Sequence, residues 1–496
     1  MRQGGVICAA LAASALMPLA AARADTLQEA LTAAYRNNPT LAAARANQRA
    51  NDENVAIQRS AGRPNVTATG QYLEYVQQSS DNGVSPERAI NGQLNLGVPI
   101  FSGGAVRNGI RGARARVDAG RADLRGTESD LFTQVTAAYM DVLRGQAIVG
   151  LQANQVDVLT VNLQATSDRF EIGDLTRTDV AQSQARLALA QSDLRTAQAN
   201  LIGARETYAQ LTGMAADDLQ PPPPLPGFPA SVEEAEDIAL VQNPDIIAAR
   251  DRASAAGFDT DVAGAGRLPR VSVVTGGTYN NYLGSLDTGG TVALPQTNTG
   301  AQVGVQVSVP LFQGGLPAAQ RRQAQAREGA ALETVVATER FVIAQVRSAW
   351  SSWQAATAVI ASAQTAVDAA ALSLEGVRAE NSIGNRTILD TLNAEQELLN
   401  ARVALVTARR NAYVAGFQLL AAMGRAEARD LGLADEGVLY DPVRNYERVQ
   451  GKWFDWDDDP APVVSTTSTA DVPAATAQIP ADAVPQMGET GNRPGY

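Results

Sequence analysis

The sequence predicts a mainly α-helical protein that also carries a β-barrel portion, built from two copies of one helix–β-hairpin–long-helix plan. Three observations carry this reading. The chain repeats itself at a nearly constant spacing, each copy contains strand-like alternation, and each copy then runs for about 65 residues without a proline.

The repeat comes first. "LQEALTAAYRNNPTLAAARA" at 27–46 aligns with "VEEAEDIALVQNPDIIAARD" at 232–251, so that Asn38-Pro39 matches Asn243-Pro244. Further on, "LGVPIFSGG" at 96–104 aligns with "VSVPLFQGG" at 307–315. Tyr139 and Trp350, Gly173 and Gly384, Asp179 and Asp390, and Gly213 and Gly424 then all keep one separation. Landmarks this numerous, held at one spacing, make chance a poor explanation. The first repeat occupies 25–219 and the second 231–433, joined by the stiff connection "QPPPPLPGFPA" at 220–230.

Each copy opens with a helical segment that its Asn-Pro pair interrupts, because the residue before a proline is pushed out of the α region. Strand-like segments follow. Val303, Val305, Val307 and Val309 alternate with Gly304, Gln306 and Ser308; Leu94, Leu96, Val98 and Ile100 alternate with Asn95, Gly97 and Pro99. Period two gives one apolar and one polar face. Their partners are expected at 65–77 and 270–283. Pro99 with Gly103 and Gly104, and Pro310 with Gly314 and Gly315, are expected to mark the change from strand to helix. There the proline would end ladder pairing and the glycines would allow a sharp redirection.

The long runs, from Gly104 to Arg169 without a proline and from Gly315 to Ser382 with Pro317 only at its start, predict helices of roughly 98 Å at 1.5 Å per residue, far longer than a globular helix. A second helix leads back from each. Leu392, Leu399, Val406, Tyr413 and Leu420 recur at heptad spacing, a coiled-coil seam. Four strands per chain cannot close a barrel, and lipid-exposed strands need closure. Strands that span a membrane therefore require several copies of the chain: three copies supply twelve strands, two only eight.

Composition narrows the function classes. The chain has 496 residues, 40 basic and 52 acidic, which disfavours a nucleic-acid partner. It has no histidine, the commonest general base and metal ligand. Without histidine, a phosphate-binding glycine loop or clustered carboxylates, an enzyme is not expected, nor is a cofactor or a metal. Residues 1–24 read as a signal peptide: Arg2, an apolar run, then Ala22-Arg23-Ala24. The one cysteine, Cys8, would leave with it, so neither a lipid anchor nor a disulfide is expected. The rest of the chain shows no evident apolar run of membrane-helix length. Residues 434–454 form an extension, and 455–496, rich in Pro, Ala, Ser, Thr and Asp without pattern, are expected to be disordered.

Two turns stand out, "EIGDLTRTDVAQSQ" at 171–184 and "SIGNRTILDTLNAEQ" at 382–396. Gly173 and Gly384 would supply the turn's backbone angles. Thr176-x-x-Asp179 and Thr387-x-x-Asp390 fit a helix capping box, a purely local role. Arg386 is different, because a helix N-terminus disfavours a cation, so something must hold it. Asp390 and Asn393 share one face, opposite Leu392, and in an oligomer would form rings around a lumen.

The ordered set of parts, with its twin P-[IL]-F-x-G-G junctions and twin Ile-Gly turns, resembles the TolC-type outer-membrane efflux and secretion channels over about residues 25–450. The resemblance implies a homotrimer with a twelve-stranded barrel in the outer membrane, continued by an α-helical periplasmic barrel with a coiled-coil tip. It implies a mixed equatorial region to which 434–454 would belong. It also implies docking to a periplasmic adaptor protein and an inner-membrane transporter of ABC or RND type. In such channels the helix ends close the periplasmic entrance. Arg386 aligns with the arginine of the closing links, Thr178 and Asp179 with its partners, and Asp390 with the upper acid of a paired constriction. The sequence departs at Asn393, where the family has an acid, and at Asn381, where a tyrosine is frequent; a less acidic, less tightly latched entrance is expected. The alternative reading is a coiled-coil adaptor, but no β-rich segment lies between the long helices.

Overall fold

The computed structural model describes residues 26–77, 86–216, 218–286, 294–433 and 439–479. The signal-peptide segment and Cys8 lie outside the described residues. The first copy runs α1 (Leu27–Asn37), α2 (Pro39–Ser60), β1 (Asn65–Glu74), β2 (Arg88–Phe101), α3 (Ala105–Glu171) and α4 (Arg177–Thr212). The second runs α5 (Val232–Gln242), α6 (Pro244–Gly264), β3 (Arg270–Asn281), β4 (Thr297–Ser308), α7 (Leu316–Ser382) and α8 (Ile388–Ala422), and α9 (Pro442–Val449) follows.

The Asn-Pro pairs break the opening helices as expected, and the asparagines do more. Asn38 Oδ1 accepts from the Thr40 and Leu41 amides, capping α2, while its Nδ2 donates to the Leu211 carbonyl at 3.0 Å. Asn243 accepts from the Asp245 and Ile246 amides and donates to the Ala422 carbonyl at 2.9 Å. Each asparagine therefore stitches its short helices to the end of the helix that returns from the far tip.

The four strands form one antiparallel sheet in the order β1-β2-β3-β4, the two hairpins pairing through β2 and β3. The register stacks Val66 on Leu96, Leu96 on Thr275 and Thr275 on Val303 along one face. On the other face Thr67 meets Asn95, Gln93 meets Thr278, and Gly276 meets Gln302. Among the described residues of one chain the outer edges of β1 and β4 have no partner strand.

The junction prolines behave differently from each other. β2 continues through Pro99, which faces Ser272, and a register shift follows before Phe101; only in the second copy does the strand end, at Ser308, ahead of Pro310. Pro99 therefore does not end its ladder. β2 is a central strand, and its pairing with β3 carries on past a bulge, where a proline is tolerated. Gly104 (φ 87°) and Gly315 (φ 85°) are the left-handed N-caps of α3 and α7, each preceded by another positive-φ glycine, Gly103 or Gly314.

α3 and α7 are each 67 residues long, about 100 Å at helical rise. One stretch of α7 is long and apolar enough to cross a membrane by composition alone, contrary to the reading that no such run exists. Its apolarity comes largely from alanine, and little of the stretch is buried within the chain. The main core lies where α1, α3, α4, α5 and α8 meet, around Phe132, Tyr139, Leu201, Tyr208 and Phe417. The proline-rich linker is strapped across it. Tyr139 Oη donates to the Gln220 carbonyl at 2.6 Å, Tyr413 Oη to the Pro223 carbonyl at 3.1 Å, and Phe228 stacks on Trp353 at 4.5 Å.

α9 packs against α2. Asn445 donates to Asp52 at 2.8 Å, Tyr446 joins Val55, Ala113 and Val117, and Arg59 and Arg63 donate to the Gln450 and Lys452 carbonyls. Beyond it, disorder does not describe 455–479. This segment has little regular structure, yet the Thr476 carbonyl accepts from Arg205, Ala475 donates to Glu206 at 2.8 Å, and Ile479 packs on the main core. Side chains of α4 satisfy its backbone, which composition cannot show. Residues 480–496 of the expected tail lie outside the described residues.

Candidate functional site at the two hairpin tips

Both tips have one backbone design. α3 ends at Ile172, Gly173 takes φ 85°, and Thr176 caps α4 in a full capping box with Asp179. α7 ends at Ile383, Gly384 takes φ 80°, and Thr387 caps α8 with Asp390. Hydrogen bonds from the side chain and then the backbone of Thr176 hold the Asp179 carboxyl below its usual range. Those of Thr387, with a smaller contribution from the Arg386 charge, do the same for Asp390.

Their charges are reversed. At the first tip Arg169, on the helix, pairs with Asp174 in the turn at 2.6 Å. At the second, Glu380 occupies the position matching Arg169, and Arg386 in the turn donates to it at 2.7 Å. This answers what holds Arg386 near a helix N-terminus: Glu380, whose hydrogen bond also raises the pKa of the guanidinium. Asn381 Nδ2 donates to the Arg386 carbonyl at 2.8 Å and closes the turn. Among the described residues, no bond within the chain joins Arg386 to Thr178 or Asp179.

The two coils are linked higher up. Asn393 accepts from Arg186 of α4 at 2.7 Å, so the amide that replaces the family acid already serves a cross-coil bond. Leu392, Leu159 and Ala190 form a small buried cluster that locks α8 to α3 and α4. Beside it lies a residue that the sequence reading missed. Glu395, 4% exposed, accepts from Arg378 of α7 at 3.0 Å and from Asn162 of α3 at 3.0 and 3.1 Å. A signal was available, because Glu395 falls three residues after Leu392, where the heptad calls for an apolar residue. The candidate site thus gathers Arg386, Asp390, Asn393 and Glu395 at the tip of the second coil, with Arg186, Thr178 and Asp179 on the first.

The chain matches the outer membrane efflux protein family over residues 30–214 and 237–425, one segment per repeat. It is 34% identical over 449 residues to the outer membrane efflux protein BepC of Brucella suis, covering 90% of this chain and 96% of that protein. It is 28% identical to the outer membrane protein TolC of Escherichia coli, over 90% and 93% of the two chains. The alkaline protease secretion protein AprF of Pseudomonas aeruginosa is 30% identical over 68% of this chain and 70% of its own. The solved outer membrane protein VceC of Vibrio cholerae superimposes with a TM-score of 0.69 at 23% identity, over 80% of this chain and 96% of that one. The CmeC outer membrane channel of Campylobacter jejuni does so at 0.71 and 17%, over 86% and 89%.

The fold and the relatives define an outer-membrane channel with a large periplasmic helical part. This chain belongs to the outer membrane efflux protein family. It is an efflux or secretion channel of a Gram-negative outer membrane, neither an enzyme nor a periplasmic adaptor.

Proposed function

We propose that three copies of this chain close into one duct, with twelve strands in outer-membrane lipid and a helical tunnel ending at three pairs of hairpin tips. The duct receives cargo from an inner-membrane transporter of ABC or RND type through a periplasmic adaptor. The observation that supports this best is the four-stranded sheet, with both edges open, valines and leucines on one face and amides and hydroxyls on the other. Neighbouring copies satisfy its edges and lipid its apolar face.

The tips form the entrance. Arg386 is the movable cation, since its pair with Glu380 is half exposed and water screens such pairs. In the closed state Arg386 exchanges Glu380 for Thr178 or Asp179 of a neighbouring coil, and adaptor docking reverses the exchange. Asp390 supplies a ring of three carboxylates, and Asn393, held by Arg186, a neutral ring. Planar-bilayer recording tests this: Arg386→Ser raises conductance and Asp390→Asn weakens cation preference. An Arg386→Ser channel with wild-type conductance removes the latch, and an unchanged reversal potential removes the ring.

A further inference from the structure

We infer that the segment Lys452–Trp456 is a membrane-interface anchor, seating three aromatic rings in the phospholipid headgroup region of the periplasmic leaflet, outside the barrel wall. Trp453, Phe454 and Trp456 are 56%, 80% and 93% exposed. Three bare aromatic rings in a loose tail would signify little, but these stand on a braced turn. The Asp457 amide donates to the Phe454 carbonyl at 3.3 Å. Arg448 grips Asp459 through two hydrogen bonds of 2.6 and 2.7 Å, and Lys452, the chain's one lysine, reaches Asp457 at 3.2 Å and Asp459 at 3.1 Å. The turn is held rigid while its apolar side chains bury little.

Its height in the molecule identifies what covers it. The Arg63 guanidinium lies 4.6 Å from the Trp453 ring centroid, and Arg63 stands two residues before β1 begins. The turn is therefore level with the base of the strands, where exposed Phe101 and Phe312 mark the same junction. α9 climbs along α2 to reach this level, and the chain then descends to Thr476 beside α4. The segment leaves the helical body only to present its rings at the membrane edge. Trp favours this interface because its ring is apolar and its N–H needs a polar partner. Arg448 and Lys452 pair with Asp457 and Asp459, while Asp455 and Asp458 leave the turn net acidic, so it suits a zwitterionic headgroup and disfavours an anionic one.

This inference rests on the strands forming a lipid-embedded barrel, and the experiment separates the two. The protein and its Trp453→Phe/Trp456→Phe variant are reconstituted in phosphatidylcholine brominated high or low on the acyl chain, and conductance is recorded on the same vesicles. The other tryptophans, Trp350 and Trp353, remain as an internal reference in the helical body. The wild-type-minus-variant emission loses roughly a third to a half of its intensity to bromines near the headgroup, and less to deep ones, as an interfacial ring should. Conducting vesicles in which that emission ignores both lipids overturn the anchor, whether the rings answer to aqueous acrylamide or are shielded by a neighbouring protomer. Vesicles that never conduct, with no lipid quenching, overturn the barrel reading and the anchor together.

Discussion

α3 and α7 start from the same double-glycine junction, have the same length and end in the same turn, yet one is buried and the other bare. α3 lies among α2, α4, α6 and α8 and buries Phe132, Val135, Tyr139 and Val142. α7 buries only Val342, Val346 and Leu374, while Leu332, Phe341, Val359 and Leu372 stay more than half exposed. Duplication copied the backbone program but not the surroundings. The first copy's long helix is covered by its own chain; the second copy's is left largely uncovered within the chain. The tips repeat the lesson in charge: one turn, with an acid facing a helix arginine in one copy and an arginine facing a helix acid in the other.

The largest expected effect tests the bare face. Phe341→Glu should abolish the proposed trimer in detergent, read by light scattering after size exclusion, with little change in the unfolding of the single chain. A persistent trimer would show that α7 is covered otherwise. The matching insult to the buried helix, Phe132→Ala, should lower stability by about 3–5 kcal/mol in chemical denaturation. Next comes the tip hub. Glu395→Ala leaves Arg378 and Asn162 without their acceptor, at a cost of about 1–3 kcal/mol, the lower end reflecting the half-exposed Arg378. The matching residue of the first copy, Gln184, is exposed, and its alanine variant should change stability by less than about 0.5 kcal/mol. Equal losses would erase the asymmetry.

A smaller effect is set by pH. Glu128 of α3 is largely buried, and that burial pushes its pKa up to about 6, against the hydrogen bond it accepts from the Ala428 amide. The folded protein then binds a proton that the unfolded chain releases, so this group lowers stability as pH rises from about 4.5 through 6. Glu128→Gln should stabilise by about 1–2 kcal/mol at pH 7–8, with the gain shrinking as pH falls and vanishing below about pH 4. A gain independent of pH would show that packing is responsible. The smallest contrast is one of expected equality. Alanine at Gly173 or Gly384 meets open space but must hold positive φ, so each should cost about 1 kcal/mol. Unequal costs would mean that the reversed charges strain one turn more than the other.

Much of the fold was legible because its causes are local. Asn-Pro breaks, glycine-capped junctions, alternating strands and capping boxes each follow from a few consecutive residues, and the repeat allowed each to be checked against its twin. The site was legible only in part. Asp179 and Asp390 stand in their capping boxes, but the partner of Arg386 had to be found by folding the turn, which brings round Glu380 from six residues upstream. Glu395 announced itself only as a carboxylate in an apolar heptad position, and its partners are contributed by α3 and α7. The braced turn at 453–459 depends on Arg448 and Lys452 reaching across it, a geometry that composition reports only as a polar tail.

By itself, the sequence determined the duplicated plan, the length of the helices, the two faces of the strands and the shape of the turns, since short-range sterics and hydrogen bonding decide all of these. Only the tertiary structure decided which copy of each element is covered, which charge meets which, and where the final segment lies. Those outcomes depend on residues hundreds of positions apart reaching the same place, and the sum of many weak contacts decides between them.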